Sequence, residues 1–510
     1  MAKKKEGRGP ENIHRNSIEC DLDDGYKSPI KSVRDISVNN IKSLISGSRY
    51  IQSLIILTLI GLFLRFYDLG FNSLWLDEAS TYTISIKSFA DIWQTTANGE
   101  FNPPLFYWIE HVMLMLGNNE IILRFIPAVL GVLTIPLFYL IGKEFLDRNT
   151  GIIAAAACAF SPFLIFYSQE ARAYIMMLFF VGVATLYFLK AMKSAKFVHW
   201  LIFGIFSALA FWSHFYAFVM IASLILYALI EWAPHIKTEF NNLKQLIFGI
   251  IVFVILSLPL ILVTLQLLII RTASAPTYGI QGMDIVLETF VQISGMNEIV
   301  TFIIVALFII GCISAYRIEK GKGIFLVLIT VLTFIVSFVL SFKMPMLPRY
   351  LIFLTIVLFL GVAVTYKSVY SLWSTKAVIY GFIVVLFLLS APILAGYYSG
   401  YSKEDWRGFG ATLQQKAQPG SIIVSVPGYI SQPLDYYYSS KNGKTSEYGA
   451  STAADLDEII SKNSNSTIYF VVTGDISAAD PKGDAVAWLK SNTTLIGTDA
   501  TQAIYLFTKS

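Results

Sequence analysis

Charge is what this sequence has least of. Only 14% of its 510 residues are Asp, Glu, Lys or Arg, against 55% apolar residues, where a soluble domain carries about a quarter charged residues. A soluble globular enzyme is excluded on that ground. Cysteine is nearly absent as well. Cys20, Cys158 and Cys312 fall in a polar tail and in two apolar runs, so no pair can staple an external domain, and no metal-ligand or redox spacing appears. The first fifty residues lack the short apolar core and cleavage site of a signal peptide. The chain also lacks an internal repeat and any nucleic-acid motif, and its net charge of +4 is accounted for by the distribution of basic residues described next.

What the chain has in abundance is long apolar runs, each near the roughly 20 residues a bilayer core requires. They read as spans at Ile51–Phe66, Ile121–Gly142, Gly151–Tyr167, Ala173–Leu189, Val198–Trp212, Ala217–Trp232, Leu246–Ile270, Val300–Ala315, Ile324–Ser341, Leu351–Val364 and Ala377–Leu394. The expectation is an all-α polytopic membrane bundle of about 11 transmembrane helices. Pro127, Pro136, Pro162 and Pro259 interrupt the runs without lowering the count, because neighbouring helices can satisfy the freed carbonyls.

Residues 1–50 form a basic, disordered tail on this reading, with the membrane domain at 51–396 and an α/β domain at 397–510. With the tail in the cytoplasm, Lys143, Arg148, Lys190, Lys193, Lys196, Lys237, Lys244, Arg317, Lys320, Lys322, Lys367 and Lys376 share its side. Lys87, Arg172, Arg271, Lys343 and Arg349 lie opposite. The positive-inside rule favours this orientation. It makes the chain a multi-pass plasma-membrane protein whose C-terminal domain is extracytoplasmic.

In that topology five segments converge on the outer face: a long first loop from Tyr67 to Glu120 with short helices, the turn Ser168–Tyr174, the turn at His214, the loop Arg271–Ile299, and Phe342–Arg349. A carrier places its rare ionisable groups near the bilayer midplane. Here they gather at one rim. The extracytoplasmic module has strands expected at Ser421–Pro427 and Thr467–Thr473, a helix at Ala478–Ser491, and acceptor patterns for N-glycosylation at Asn465 and Asn492. Its Tyr436-Tyr437-Tyr438 cluster reads as a buried helix face, or as a surface for sugar or lipid.

The adjacent carboxylates of Leu74-Trp75-Leu76-Asp77-Glu78 are the strongest chemical signal. A carboxylate near hydrocarbon suits proton abstraction from a hydroxyl. Arg172 and Arg349 on the same face suit an anionic leaving group. The plainer readings are a helix-capping acidic turn for Asp77 and Glu78, and an internal ion pair with Glu170 or Asp77 for Arg172. For Arg124 the plainer reading is a snorkelling side chain, and for His214 an interfacial structural one. Trp75, Trp93, Trp108 and Trp212 read as interface-belt residues.

Those motifs, in their order, resemble the GT-C membrane glycosyltransferases, in the branch of protein O-mannosyltransferases and aminoarabinose transferases. The resemblance runs through Trp75-Leu76-Asp77-Glu78, Asn102-Pro103-Pro104-Leu105-Phe106-Tyr107, Leu123-Arg124-Phe125-Ile126-Pro127, Ser168 to Tyr174, Ser213-His214-Phe215-Tyr216, Pro348-Arg349-Tyr350 and Glu404-Asp405-Trp406-Arg407. It implies a GT-C bundle with a small C-terminal module and sugar transfer, with inversion, from a polyprenyl-phosphate donor to a protein, lipid or glycan acceptor. Asp77 would be the general base, and Glu78 a second catalytic residue that orients the acceptor or binds a cation. Arg172, Arg349, Tyr174 and Tyr350 would bind the donor phosphate, and Asn102, Glu170, His214 and Tyr216 the substrates. The resemblance makes no cofactor certain and leaves a divalent metal possible, with Glu78 and His214 as its candidate ligands. Asn102 departs from the family pattern, which commonly has histidine there. The competing readings are a lipid or polysaccharide transporter, and a lipid-linked polysaccharide polymerase or ligase.

Overall fold

A computed structural model describes residues 37–509 apart from 101, 195, 236–238, 274, 439–444, 474–475 and 477–478, together with 22, 28, 29 and 35. Most of the expected N-terminal tail lies outside the described residues. Where residues 38–47 are described they are not irregular: Val38–Gly47 is a helix whose first turn is capped by the Ser37 side chain.

Every expected span coincides with a helix. Among the described residues, nine helices are long and apolar enough to cross a membrane, and Phe197–Ser213 is a shorter apolar helix. The run at Gly151–Tyr167 is the exception to continuity. It is two helices, Arg148–Phe160 and Pro162–Ser168, bent by 59°. Pro162 has no N–H and sits at the start of the second piece, where the Ser161 hydroxyl caps the new N-terminus by accepting from Leu164 N at 3.2 Å. The third run is therefore a broken helix, because proline ends one hydrogen-bond ladder and starts the next.

That broken element lies at the centre of the bundle, with every residue from Asn149 to Phe160 buried. Small residues make the position accessible. A Cβ on Gly142 would come within 2.8 Å of the Gly151 Cα, so glycine at both positions lets two backbones touch. Helix Phe240–Arg271 is peripheral, with only 28% of its apolar window buried, whereas Leu354–Trp373 is 72% buried. The first loop is folded into the short helices Leu76–Ser85, Phe89–Ala97 and Leu105–Met113.

The C-terminal module holds a five-stranded sheet. Its strands are β1 (Ser421–Val426), β2 (Thr445–Gly449), β3 (Ile468–Thr473), β4 (Thr494–Thr498) and β5 (Ile504–Lys509), in the order β2-β1-β3-β5-β4. β1 runs parallel to β2 and β3, while β5 is antiparallel to β3 and β4. Alternate residues of β1 serve opposite faces, as strand pleating dictates. Ile422, Val424 and Val426 pack with Leu456 and Leu489, and Ile423 packs with Trp406, Phe409 and Leu434. The helix expected from Ala478 begins at Asp484. The Asp480 carboxylate accepts from the N–H groups of Asp484, Ala485 and Val486 at 2.9, 3.0 and 3.1 Å, which fixes the N-terminus after Pro481 and Gly483.

Candidate active site

The first loop enters the site because Arg124 pulls it in. Arg124 is buried, accounting for helix Glu120–Phe145 having a guanidinium in its first turns. Its Nη1 donates to the carbonyls of Leu69 and Asn72, and its Nη2 to that of Ser73, each at 2.9 Å. The remaining N–H groups form a two-pronged pair with Glu78, Nε to Oε1 and Nη2 to Oε2, both at 2.7 Å. Arg124 is thus an internal anchor of the loop and does not snorkel.

Glu78 is fully buried and saturated. Besides the two bonds from Arg124 it accepts from Lys403 Nζ at 2.9 Å and from the Ala171 N–H at 2.8 Å. Burial pushes its carboxyl pKa up, but Arg124, Lys403 and these hydrogen bonds outweigh that and hold it at about 2. A carboxylate held this way is a poor proton acceptor and has no lone pair left for a metal. Glu78 is corrected from catalytic or metal-binding residue to the structural hub that joins four parts of the chain.

Asp77, one residue earlier in helix Leu76–Ser85, turns to the other side. Its Oδ2 accepts from Arg349 Nη2 at 3.1 Å, with the Asp77 side chain 24% exposed and that of Arg349 21%. Arg172 donates to the Asp77 main-chain carbonyl at 3.0 Å and to Thr81 Oγ1 at 3.3 Å. Arg172 therefore braces the base candidate through the backbone, without pairing its carboxylate or that of Glu170. The Arg349 guanidinium lies over the rings of Trp75, Tyr174 and Tyr350 at 5.5, 5.8 and 5.8 Å, and its Nε is buried without a partner. An unpartnered N–H in such a place is an unused donor for an anion.

Trp75 is a site residue, against the expectation of an interface belt. Its Nε1–H donates to Glu170 Oε1 at 2.9 Å. Glu170 is fully buried, its Oε2 has no partner, and burial pushes its pKa up against the pull of Lys403. The other three tryptophans stack on one another, Trp212 with Trp93 at 5.9 Å and with Trp108 at 5.7 Å, and so clamp the loop helices to the bundle.

His214 is buried between cations. Burial, then Arg172 and Arg349, push its pKa down to about 3, so it is neutral at physiological pH. It accepts from the Tyr216 N–H at 3.3 Å and contacts Tyr350 with ring centroids 5.1 Å apart. A divalent ion there would face the same two arginines. No group of three His, Cys, Asp or Glu residues suited to a metal occurs among the described residues. Neither metal candidate, Glu78 or His214, fits the role.

The Pro348–Leu351 turn contributes to two cavities. Arg349 lines one of about 430 Å³ together with Trp75, Tyr167, Glu170, Lys403 and Glu404, and the C-terminal residues Thr501 and Ala503 form part of its wall. Tyr350 lines one of about 50 Å³ with Asn102, His214, Tyr216 and Arg271. Tyr216 and Tyr350 stack at 5.3 Å. Asn102 is turned toward Tyr107 and Glu100 at 3.4 Å, and Arg271 donates to the carbonyls of Gly99 and Glu100 at 3.0 and 2.6 Å. Of the expected site residues, Glu170, Arg349, Asn102, His214, Tyr216 and Tyr350 line these cavities, Asp77, Glu78 and Tyr174 contact lining residues, and Arg172 stands behind Asp77. Lys403, Glu404, Trp75 and Arg271 escaped sequence reasoning as site residues, although the motif Glu404-Asp405-Trp406-Arg407 lay beside the first of them.

A membrane bundle with a carboxylate and two arginines at one rim, roofed by a small α/β module, has the GT-C fold, as its likeness to two solved membrane proteins shows. Residues 102–260, less than half of the chain and including Asn102, Arg172 and His214, match the family described as dolichyl-phosphate-mannose-protein mannosyltransferase. ArnT from Cupriavidus metallidurans bound to undecaprenyl phosphate is similar in structure, with a TM-score of 0.58 at 13% identity over 89% of this chain and 97% of that one. The archaeal oligosaccharyltransferase AglB from Archaeoglobus fulgidus, in complex with an inhibitory peptide and a dolichol-phosphate, gives a TM-score of 0.52 at 14% identity over 90% of this chain and 74% of that one. An uncharacterized protein of Aquifex aeolicus (strain VF5) is 30% identical over 149 residues, which is 28% of this chain and 30% of that relative's length.

Proposed function

We propose that this protein transfers a sugar from a polyprenyl-phosphate donor to a hydroxyl acceptor at the extracytoplasmic face of the plasma membrane, with inversion and with Asp77 as general base. One observation carries the reading. The Asp77 carboxylate is held at 3.1 Å by Arg349, the same guanidinium whose buried Nε still lacks an acceptor, so base and anion-binding donor are fixed on one group. The acceptor oxygen attacks the anomeric carbon while its proton passes to Asp77. The bond from that carbon to the phosphate oxygen breaks, and its electron pair leaves with the phosphate. A phosphate is a weak base and departs without a strong general acid, and its charge is met by Arg349 and Arg172. Tyr174 and Tyr350 orient Arg349, while Glu170, Asn102, His214 and Tyr216 face the sugar and acceptor. The solved relatives with bound polyprenyl phosphates support this donor class, and the excess of Lys and Arg in the opposite loops supports the orientation.

The test is sugar transfer by the purified protein, given lipid-linked sugars and membranes from its host, beside an Asp77→Asn variant whose folding is verified by thermal melting. Loss of at least about a hundredfold in rate is the expected outcome for a base of this kind. Equal transfer by both proteins overturns Asp77 as the base, and no transfer by the wild type overturns the enzyme reading in favour of a transporter.

A further inference from the structure

Arg65 is a fully buried guanidinium inside the first span, and nothing in the proposed chemistry uses it. Among the described residues no carboxylate forms an ion pair with it. Its bonds go to backbone. Nη2 donates to the Cys158 carbonyl at 2.9 Å, and Nη1 to the carbonyls of Ala159 and Gly61 at 3.3 Å each. Cys158 is four residues before Pro162, so its carbonyl is the one whose helical partner would be the N–H that proline lacks. The guanidinium stands in for that missing donor at the end of helix Arg148–Phe160, where a cation also suits the negative end of the helix dipole.

The far side of the break returns the favour. Gln169, the C-cap of helix Pro162–Ser168, sends its Nε2 to the carbonyls of Leu64, Arg65 and Tyr67 at 3.3, 3.2 and 2.7 Å. These are among the last carbonyls of helix Arg49–Phe66, which have no intrahelical donor. The Gln169 Oε1 accepts from Tyr397 at 2.7 Å, and that fixes the amide orientation. Each helix end is capped by a side chain of the other element.

We propose that Arg65 and Gln169 form a reciprocal capping clasp that sets the position of the turn carrying Glu170 and Arg172, so that both are positioning residues for transfer. The turn follows Gln169 directly, and Arg172 is what braces the backbone of Asp77. An error of about 1 Å there would cost on the order of a hundredfold in rate. The kinetic part of this proposal rests on the function proposed above, whereas the structural part does not.

The experiment uses the full-length protein in lipid nanodiscs with four variants: Arg65→Lys, Arg65→Met, Pro162→Ala, and the double Arg65→Met/Pro162→Ala. The thermal midpoint of each is measured first. Loss of the guanidinium lowers the midpoint less in the Pro162→Ala background than in the wild type, because alanine has the N–H that lets the helix continue through residue 162 and satisfy the Cys158 carbonyl. Strictly additive shifts overturn the clasp whatever the protein's activity. Transfer and undecaprenyl phosphate affinity are measured second. Arg65→Lys, which keeps the charge but gathers its donors on one nitrogen and cannot reproduce the fork that reaches Cys158 and Ala159 at once, stays folded and loses about tenfold or more in kcat with undecaprenyl phosphate affinity within a few-fold. A folded Arg65→Lys with wild-type kcat overturns the positioning role. Absence of transfer by the wild type sinks the functional reading alone and leaves the thermal coupling to decide the clasp.

Discussion

Asp77 and Glu78 are neighbours in sequence with opposite fates, and the reason is helix geometry: successive residues on a helix point about 100° apart. Asp77 faces the cavity side and meets Arg349. Glu78 faces inward and meets Arg124, Lys403 and the Ala171 N–H. The buried pair predicts a specific cost. Glu78→Gln leaves Arg124 and Lys403 without their countercharge and destabilises the fold by about 3–5 kcal/mol, which thermal or denaturant melting measures. The pH dependence has a definite sign. The folded-state carboxyl is at about 2, below its ordinary value of 4.5, so the native state binds protons less readily than the unfolded chain. The contribution is present in full above pH ~4.5 and is lost as pH falls from there toward about 2. The stability gap between wild type and Glu78→Gln should therefore be flat from pH 8 to pH 5 and narrow below it. A gap that widened on acidification would show that the carboxylate is not held by these cations.

Much of this scale was legible in the sequence, and the part that was not has a physical cause. Asp77, Arg172 and Arg349 announce themselves as rare charges beside apolar runs. The role of Glu78 did not, because its partners lie 46, 93 and 325 residues away, and an acidic pair gives no local sign of which carboxylate turns inward. Lys403 sits in the short linker after the last span and looks like one more surface cation until that linker folds back over the cavity. Trp75 reads as a membrane-belt residue for the same reason. Its indole N–H finds Glu170 only once the turn at Gln169 is in place.

At the scale of elements, the decisive feature is the broken helix. A proline inside an apolar run is compatible with a mild kink or a complete break, and the run length alone does not choose. The choice is made by Arg65, Gln169 and the small residues that let them approach. Gly131 is the sharpest of these. A Cβ at this position would fall 2.2 Å from Ser168 Oγ and 3.0 Å from Arg65 Nε. Ser168 Oγ is tied to the Leu164 carbonyl at 2.5 Å, so it cannot swing away without giving up that bond. Gly131→Ala is expected to raise intrinsic helix propensity yet destabilise the protein by about 1–3 kcal/mol through overpacking, read as a lower thermal midpoint. A higher midpoint in the variant would mean that helices Glu120–Phe145 and Pro162–Ser168 separate easily, and that the break is not tightly held.

At the scale of the whole molecule, the C-terminal module is part of the site. The strands β1 and β3 were visible as β-branched runs, but β2, with the sequence Thr-Ser-Glu-Tyr-Gly, and the exposed β4 carry too few buried side chains to stand out. The docking was invisible, because it is made by groups that look ordinary one at a time. Asp499 accepts from the N–H groups of Asp405, Thr501, Ala503 and Ile504, which holds the turn at Thr501 and Ala503 against the cavity. Arg407 pairs with Glu120 at 2.6 Å. Tyr436 packs edge-on against Tyr82 at 4.8 Å and donates to the Asn118 carbonyl. Tyr437 is the keystone: its hydroxyl donates to Glu120 Oε1 at 2.6 Å and accepts from the Leu74 N–H at 2.7 Å. The tyrosine cluster therefore docks the module onto the loop that carries Asp77, three residues beyond Leu74. Tyr437→Phe keeps the ring and removes both bonds, leaving the N–H of buried Leu74 and a carboxylate oxygen short of a partner at a cost of about 1–3 kcal/mol. That cost falls on the interface, not on the core of either part. The variant should keep a cooperative melt of the bundle, become more sensitive to protease in the linker around residues 399–404, and lose about tenfold in transfer, since about 1.4 kcal/mol in loop position is tenfold in rate. Unchanged protease sensitivity with lowered transfer would place Tyr437 in contact with substrate, whereas unchanged transfer with a cleaved linker would show that the module can leave the site without disturbing it.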